Sequence, residues 1–500
     1  MNLREMIGKA GREFGGRSAV VTPAGPLTYA DMLDRASRLA NFMSRNGVSP
    51  GDRVAILARN SFRYMEVNFA CAILGAVLVP LNFRLSDAEV LALFERAECR
   101  MVFCAKPFLS NQAGTATWGD EDAPGDACPY EAAILGSAPD GTAPPRASDD
   151  LAQIFFTSGT TGMPKGVCLT HGNLVASGLD AAEILDFSPD DVWLHAAPMF
   201  HLVDAFAIWG VTFAGGGHVA VHFEPEKFGA TVERHGITKT SLPPTLLDWI
   251  CRKKPSHDHD LSSLRLISYG GSPMQDVVYE RCRLELGCQL LQAYGLTEGS
   301  GFVCHERPGD NPRPEQVINT VGRPTSRVEV AISRAGGVGG APGQAGELVI
   351  RGQRVFTGYW RDETATRAAF SDGWFHTGDL ATVDAAGCFQ IVGRKKEMII
   401  TGGENVYPAE VVNALLAHPG IVEAAVFGLP SERWGEEVHA VVHVFPGTHI
   451  DEHGLISHCK RRLGSYKAPK QITFWIDPLP KTGAGKIATA TLRDAILQRN

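Results

Sequence analysis

An α/β fold with parallel strands is predicted for this chain by three observations. Strand-like and helix-like stretches alternate through the first hundred residues. Two further strands flank a Thr/Ser/Gly-rich turn near residue 160, and strand character from 320 to 392 gives way after Arg394 to shorter mixed elements. Alternation of this kind is the pattern of βαβ units. Taking the elements in order, Leu33, Ala36, Leu39, Ala40 and Met43 recur at helical spacing over 31–46, with Asp31 as the expected N-cap. Arg53–Ala58 reads as a strand, 64–76 as a helix, Val77–Pro80 as extended, 87–98 as a helix and Met101–Ala105 as extended. Residues 106–149, rich in Ala, Gly, Pro and Asp, are expected to wander over the surface. Gln153–Phe156 and Val167–Thr170 read as strands. Gly336–Gly346 is expected to be the turn of a long hairpin between Val328–Ile332 and Glu347–Arg351. Beyond the boundary come a strand at Met398–Thr401, a helix at 408–417 and a strand at 422–428.

Length and composition bound the function. Five hundred residues at 44% hydrophobic content bury a large core and favour more than one domain. A net charge of −8 without a basic block argues against nucleic-acid binding. The 11 cysteines are scattered with no Cys-x-x-Cys pair, so neither a zinc site nor a disulfide framework is indicated. The opening Met-Asn-Leu-Arg-Glu-Met lacks an apolar h-region, and the apolar run Phe69–Leu81 is shorter than the roughly 20 residues that span a bilayer. A cytoplasmic protein without a transmembrane segment is expected.

The strongest local signal is Phe155-Phe156-Thr157-Ser158-Gly159-Thr160-Thr161-Gly162-Met163-Pro164-Lys165-Gly166. Glycines let main-chain N–H groups approach an anion, hydroxyls add donors, and lysine adds charge: the chemistry of a phosphate cradle. It is not a Walker A loop, because it leads into a strand and lacks the Gly-Lys-Ser/Thr ending. A Gly/Ser/Thr-rich turn taken alone is more often ordinary surface. The loop, however, resembles the signature of the adenylate-forming superfamily, and further matches follow in that family's order. They are Tyr294-Gly295-Leu296-Thr297-Glu298, Trp374-Phe375-His376-Thr377-Gly378-Asp379, Gly393-Arg394-Lys395-Lys396, Gly402-Gly403-Glu404-Asn405 and Pro480-Lys481-Thr482-Gly483-Ala484-Gly485-Lys486.

The resemblance implies an acyl-CoA synthetase. Its fold would be a large N-terminal domain (1–394) of parallel-rich sheets plus a distorted β-barrel, and a small mobile α+β C-terminal domain (395–500). ATP would meet Thr157, Ser158, Gly159, Thr160, Thr161, Gly162, Lys165, Gly271, Tyr294 and Gly295, with Asp379 and Arg394 on the ribose. Thr297 would contact the α-phosphate and Glu298 would hold Mg²⁺, a cation that takes oxygen ligands alongside ATP. Lys486 would neutralise repulsion between carboxylate and triphosphate during adenylation. Lys396 would be the hinge about which the small domain turns. An ordinary turn, a salt-bridged arginine or a solvated lysine is the bland alternative for each.

Pro198-Met199-Phe200-His201 matches the family's acid gate, with His201 beside the carboxylate and Phe206, Trp209, Gly270 and Phe302 expected in an apolar acyl pocket. No Lys or Arg lies within 199–215 or 269–280, which disfavours a dicarboxylate. A medium or long fatty acid stands first, an aromatic acid close behind. CoA is the expected acceptor, through Arg84, Gly402, Gly403, Trp434 and Lys467, each of which could instead be surface chemistry. A stand-alone ligase loading a carrier protein, a luciferase-type oxidase and a non-catalytic acyl- or nucleotide-binding protein remain as alternatives. A homodimer is compatible with this reading.

Overall fold

The computed structural model describes the chain apart from residues 106–114, 118–128, 140–145, 158–163, 273, 275, 307–319, 335–336, 340, 446, 449, 482–486 and 499–500. The chain divides into two compact units. One comprises Met1–Gln316, Val321–Val330 and Ile350–Phe375, the other Val317–Thr320, Ala331–Val349 and His376–Asn500.

In the first unit, a seven-stranded sheet has the order Gly358–Tyr359, Lys165–Thr170, Leu151–Thr157, Val77–Pro80, Arg53–Leu57, Cys99–Cys104, Thr115–Thr117. Strands 53–57, 77–80 and 99–104 are parallel and joined through helices Phe62–Leu74 and Asp87–Arg96, as the alternation predicts. Val54, Ala55, Ile56, Leu78 and Val79 are all buried, because helices cover both faces of such a sheet. The apolar run 69–81 is divided by Gly75, which ends the helix in the left-handed conformation (φ 78°) before the strand begins. Helix Tyr29–Arg45 starts two residues before the expected cap. Thr28 is its N-cap, and the Asp31 carboxylate accepts in return from the Thr28 N–H, forming a capping box.

The second sheet of this unit contains Ser18–Thr22, Gly217–Val219, Val192–Leu194, Lys239–Leu242, Leu266–Gly270 and Gln289–Leu296 side by side and parallel. Gly25–Thr28 and Gly301–Glu306 flank these strands and run antiparallel to their neighbours. Helices His171–Ile184 and Leu202–Ala214 pack on one another, and the first touches strands of both sheets. Their approach is close: a Cβ at Gly178 would lie 2.9 Å from the Cβ of Trp209.

In the second unit, a five-stranded sheet joins Glu404–Val406, Ile399–Thr401, Gly435–Val444 and Ile421–Ser431, with Gln471–Phe474 parallel to 435–444. Side chains alternate across a strand, and both faces are used. Ala424 and Val426 meet helices Pro408–Leu416 and Glu452–Lys460, while Ala425, Phe427 and Leu429 meet helix Thr489–Leu497. The strand-rich stretch is present, but among the described residues each sheet is an open path, and the expected distorted barrel does not close. The long hairpin is partly strand, since Gly337–Val338 folds back on Ser333 and Arg334. Of the segment 106–149, the described part includes the short strand Thr115–Thr117 and helix Pro129–Leu135, whose Tyr130 is buried.

Candidate active site

The described candidate nucleotide residues of the first unit lie at or near strand ends. Strand Leu151–Thr157 turns back as Lys165–Thr170, pairing Thr157 with Lys165 across the mouth of the candidate phosphate loop. Ser158, Gly159, Thr160, Thr161 and Gly162 fall outside the described residues. Gly270 ends a parallel strand, the edge at which ligands bind in open α/β sheets. Its Cβ would lie 2.2 Å from the Ala293 carbonyl oxygen, so only glycine fits there. Gly271 follows, exposed, with φ 79°. The strand Gln289–Leu296 carries Tyr294 and Gly295 and passes into a single 3₁₀ turn, Thr297–Gly299.

That turn is fixed from below. Ser300 is buried at φ 57°, its hydroxyl donates to the Arg354 carbonyl (2.6 Å), and its own carbonyl accepts from Arg354 Nη2 (3.2 Å) and from Ser177 Oγ. Arg354 is itself 1% exposed and bound by Asp180 (2.9 Å) and Thr325 (3.0 Å). The Phe356 N–H donates to the Glu298 carbonyl at 2.9 Å. With the backbone so held, the Glu298 carboxylate accepts from the Tyr359 hydroxyl at 3.1 Å, and Lys165 Nζ lies 4.7 Å from the centre of the Tyr359 ring. Burial and the adjoining Glu298 charge raise the tyrosine pKa, keeping it a neutral donor. Phosphate-loop lysine and glutamate are thus gathered on one tyrosine. A carboxylate oriented in this way is the hard oxygen donor Mg²⁺ takes, so Glu298 fits the metal role.

The candidate acyl residues are placed variously. His201 is the half-buried N-cap residue of helix Leu202–Ala214, 4.3 Å ring to ring from Phe200. Phe206 and Phe302 face each other at 4.3 Å, and Trp209 is stacked on Phe69 at 5.8 Å. Arg84 lies in the turn after Val77–Pro80, its guanidinium 5.6 Å from the Phe83 ring.

In the second unit, Asp379 and Arg394 are direct cross-strand partners, with Arg394 Nε 3.0 Å from Asp379 Oδ1. Glu347 braces the part of strand Trp374–Val383 that leads into Asp379, accepting from His376 Nδ1 (2.9 Å), Lys395 Nζ (2.9 Å) and the Gly378 N–H (3.2 Å). Burial opposes ionisation of Glu347, but these donors hold its carboxyl below the usual range. Lys396 follows in an exposed turn. Gly402 and Gly403 both have positive φ (60° and 83°) and form the two-residue turn of the hairpin Ile399–Thr401/Glu404–Val406. A side chain at Gly402 would also strike the Trp434 ring, 2.9 Å away. Trp434 is 39% exposed, with the Arg433 guanidinium 4.7 Å from its ring centre. Lys467 is paired with Glu410 at 2.5 Å. Lys486 lies outside the described residues.

Tyr359, Arg354, Asp180 and Glu347 were not singled out from sequence. Each acts through a partner between 29 and 174 residues away, and no short motif advertises such a pairing.

Residues 8–360 match the AMP-binding enzyme family, and 410–486 match its C-terminal domain. The chain belongs to the AMP-binding enzyme family. Among its relatives, a feruloyl-CoA synthase of Amycolatopsis is 38% identical over 93% of both chains. An indoleacetate–CoA ligase of Aromatoleum aromaticum is 34% identical over 100% of this chain and 99% of its own length. A long-chain-fatty-acid–CoA ligase of Mycobacterium tuberculosis is 33% identical over 94% and 93%. The fold of this AMP-binding enzyme superposes on ATP-bound MatB from Rhodopseudomonas palustris with a TM-score of 0.88 at 30% identity, covering 99% of each chain. Among the described residues, no helix is long and apolar enough to cross a membrane.

Proposed function

We propose that this AMP-binding enzyme is an acid–CoA ligase. It would join a carboxylic acid to AMP with release of pyrophosphate, then pass the acyl group to the thiol of CoA with release of AMP. The observation that carries the reading is the convergence of Lys165 and Glu298 on Tyr359, a cation and a carboxylate held ready for a nucleotide phosphate and its magnesium. Lys165 stabilises phosphate charge, Thr297 donates to the α-phosphate, and Glu298 supplies a ligand to Mg²⁺, which would neutralise the phosphates when bound. Asp379 accepts from the ribose hydroxyls while Arg394 holds its carboxylate in place. Lys486 contacts the acid carboxylate during adenylation, and Lys396 is the turning point between the half-reactions. Gly402, Gly403, Trp434 and Lys467 serve CoA.

For the acid, an aryl monocarboxylate displaces the fatty acid that sequence reasoning placed first. The candidate pocket side chains Phe206 and Phe302 are in mutual ring contact and Phe206 also meets Trp193, an apolar environment built of flat surfaces. The relatives named for feruloyl and indoleacetate substrates agree with this choice.

The experiment is acid-dependent release of pyrophosphate and AMP, followed across a panel from benzoate, cinnamate and indoleacetate to octanoate and palmitate. Formation of ADP and phosphate would end the adenylate reading. A higher kcat/KM for octanoate or palmitate than for every aromatic acid would return the fatty-acid assignment.

A further inference from the structure

We propose that the stretch His195–Asp204, which carries the gate residue His201, is a clasped loop whose shape is set by Asp204, His195 and Asn60 acting as positioning residues for the acid. The inference rests on the ligase reading above and extends it to three residues outside the family motifs.

The first and last residues of the loop close on each other: His195 Nδ1 lies 2.5 Å from Asp204 Oδ2. The other carboxylate oxygen, Oδ1, accepts from Trp193 Nε1 at 3.2 Å. On the far side, His195 Nε2 meets His218 Nδ1 at 2.9 Å, and His218 Nε2 meets Thr212 Oγ1 at 3.2 Å. All five side chains are buried. Burial, and then His195, depress the His218 pKa well below its usual value, so its ring is neutral. One set of tautomers gives every contact in the chain one donor and one acceptor. The Thr212 hydroxyl donates to His218 Nε2, His218 Nδ1–H to His195 Nε2, and His195 Nδ1–H to Asp204. A buried polar chain with all members satisfied rigidifies what it joins. What it joins here is the helix that begins at Asp204's own first turn and the parallel strands Val192–Leu194 and Gly217–Val219.

Asn60 grips the middle of the loop. Its side-chain amide donates to the carbonyls of His195 (2.8 Å) and Ala197 (2.7 Å), and its oxygen accepts from the Met199 N–H (2.8 Å). Three main-chain groups about Pro198 are therefore fixed by one side chain from the connection between strand Arg53–Leu57 and helix Phe62–Leu74. Within the clasp, the His201 N–H donates to the Pro198 carbonyl at 3.0 Å, and the His201 carbonyl accepts from Asp204 and Ala205. His201 is held by backbone, and Phe200 before it packs edge-on to Phe83 at 5.3 Å. Because these ties involve neither Lys165, Glu298 nor Tyr359, loosening them alters acid binding and leaves ATP binding intact.

The test compares KM for the acid with KM for MgATP, read by pyrophosphate release, in Asn60→Ala and Asp204→Asn. Each variant loses hydrogen bonds to buried groups, so KM for the acid should rise about tenfold or more while KM for ATP stays within about twofold. With the tautomers given above, an amide at 204 faces two N–H donors and turns its own NH₂ toward one of them. Adding Trp193→Phe to Asp204→Asn removes one donor and should recover part of the lost acid affinity. If Asp204→Asn does not fold, Asn60→Ala, which alters no charge, carries the measurement. Parallel increases in both KM values, an unchanged KM for the acid, or a double variant no better than Asp204→Asn would overturn the clasp. A wild-type protein that releases no pyrophosphate with any acid would instead overturn the ligase reading.

Discussion

The turn Thr297–Ser300 and the turn after Arg394 both present candidate site residues, yet they are held in opposite ways. The first rests on a buried guanidinium: Arg354 binds the Ser300 carbonyl, Asp180 and Thr325, and Ser300 returns a bond to the Arg354 carbonyl. The second is held by the pairs Arg394–Asp379 and Lys395–Glu347, in which the cationic side chains are 56% and 62% exposed and the carboxylates 9% and 10%. Removing the partner of a buried guanidinium strands an unpaired charge, whereas an exposed cation exchanges its partner for water at little cost. A turn that must aim donors at a developing charge gains from being fixed beforehand. A turn that must absorb a large torsional change gains from being cheap to undo.

The largest expected effect breaks the first turn. Asp180→Ala leaves Arg354 buried without its carboxylate and should cost about 3–5 kcal/mol in urea unfolding. A loss below about 1 kcal/mol would show that the turn is not held from beneath. Next comes the second turn, stiffened instead of loosened. Proline fixes φ near −65° and removes an N–H, so Lys396→Pro should abolish most CoA-dependent thioester formation while pyrophosphate exchange and the melting temperature stay near wild type. Normal thioester turnover would mean that catalysis does not pivot at Lys396.

Smaller effects sharpen the contrast. Tyr359→Phe removes a hydrogen bond to the Glu298 carboxylate, a bond type contributing about 1.5–3 kcal/mol. Pyrophosphate exchange should fall about tenfold or more, with a half-maximal Mg²⁺ concentration shifted upward. An unshifted metal requirement would separate Tyr359 from the metal site. Smallest of all, Lys395→Met should change stability by about 0–1 kcal/mol, because His376 and the Gly378 N–H still serve Glu347 and the lost cation is exposed. The sign with pH follows from the depressed Glu347 carboxyl. Its contribution is present above the ordinary carboxylate range and is lost as pH falls through the folded pKa, and Lys395→Met should flatten that decline.

What could be read from sequence follows from how local each signal is. The parallel strands and their helices showed themselves through apolar runs and spacing, and the site motifs through contiguous residues such as Tyr294–Glu298 and Trp374–Asp379. Helix starts were less legible. Thr28 and Asp31 are both capping residue types, and only the backbone decides which is the cap. The supports of the site were not legible at all. Arg354 and Asp180 are 174 residues apart, Asn60 and Met199 are 139 apart, and each reads alone as an ordinary polar residue. The sequence left Gly402 and Gly403 between a CoA contact and an ordinary turn, because both ask for the same residue; the backbone forms the turn.

The close approach of Gly178 to Trp209 has an evolutionary consequence. At 2.9 Å between Cβ positions, residue 178 has no freedom while a tryptophan and its backbone occupy 209, and Gly210 lies in the same contact. A lineage that shrinks Trp209 keeps the Cβ and main chain of that residue in place, and with them the contact that excludes a side chain at 178. The two sites should therefore drift independently. Directed evolution toward larger substrates should recover changes at 209 while glycine persists at 178.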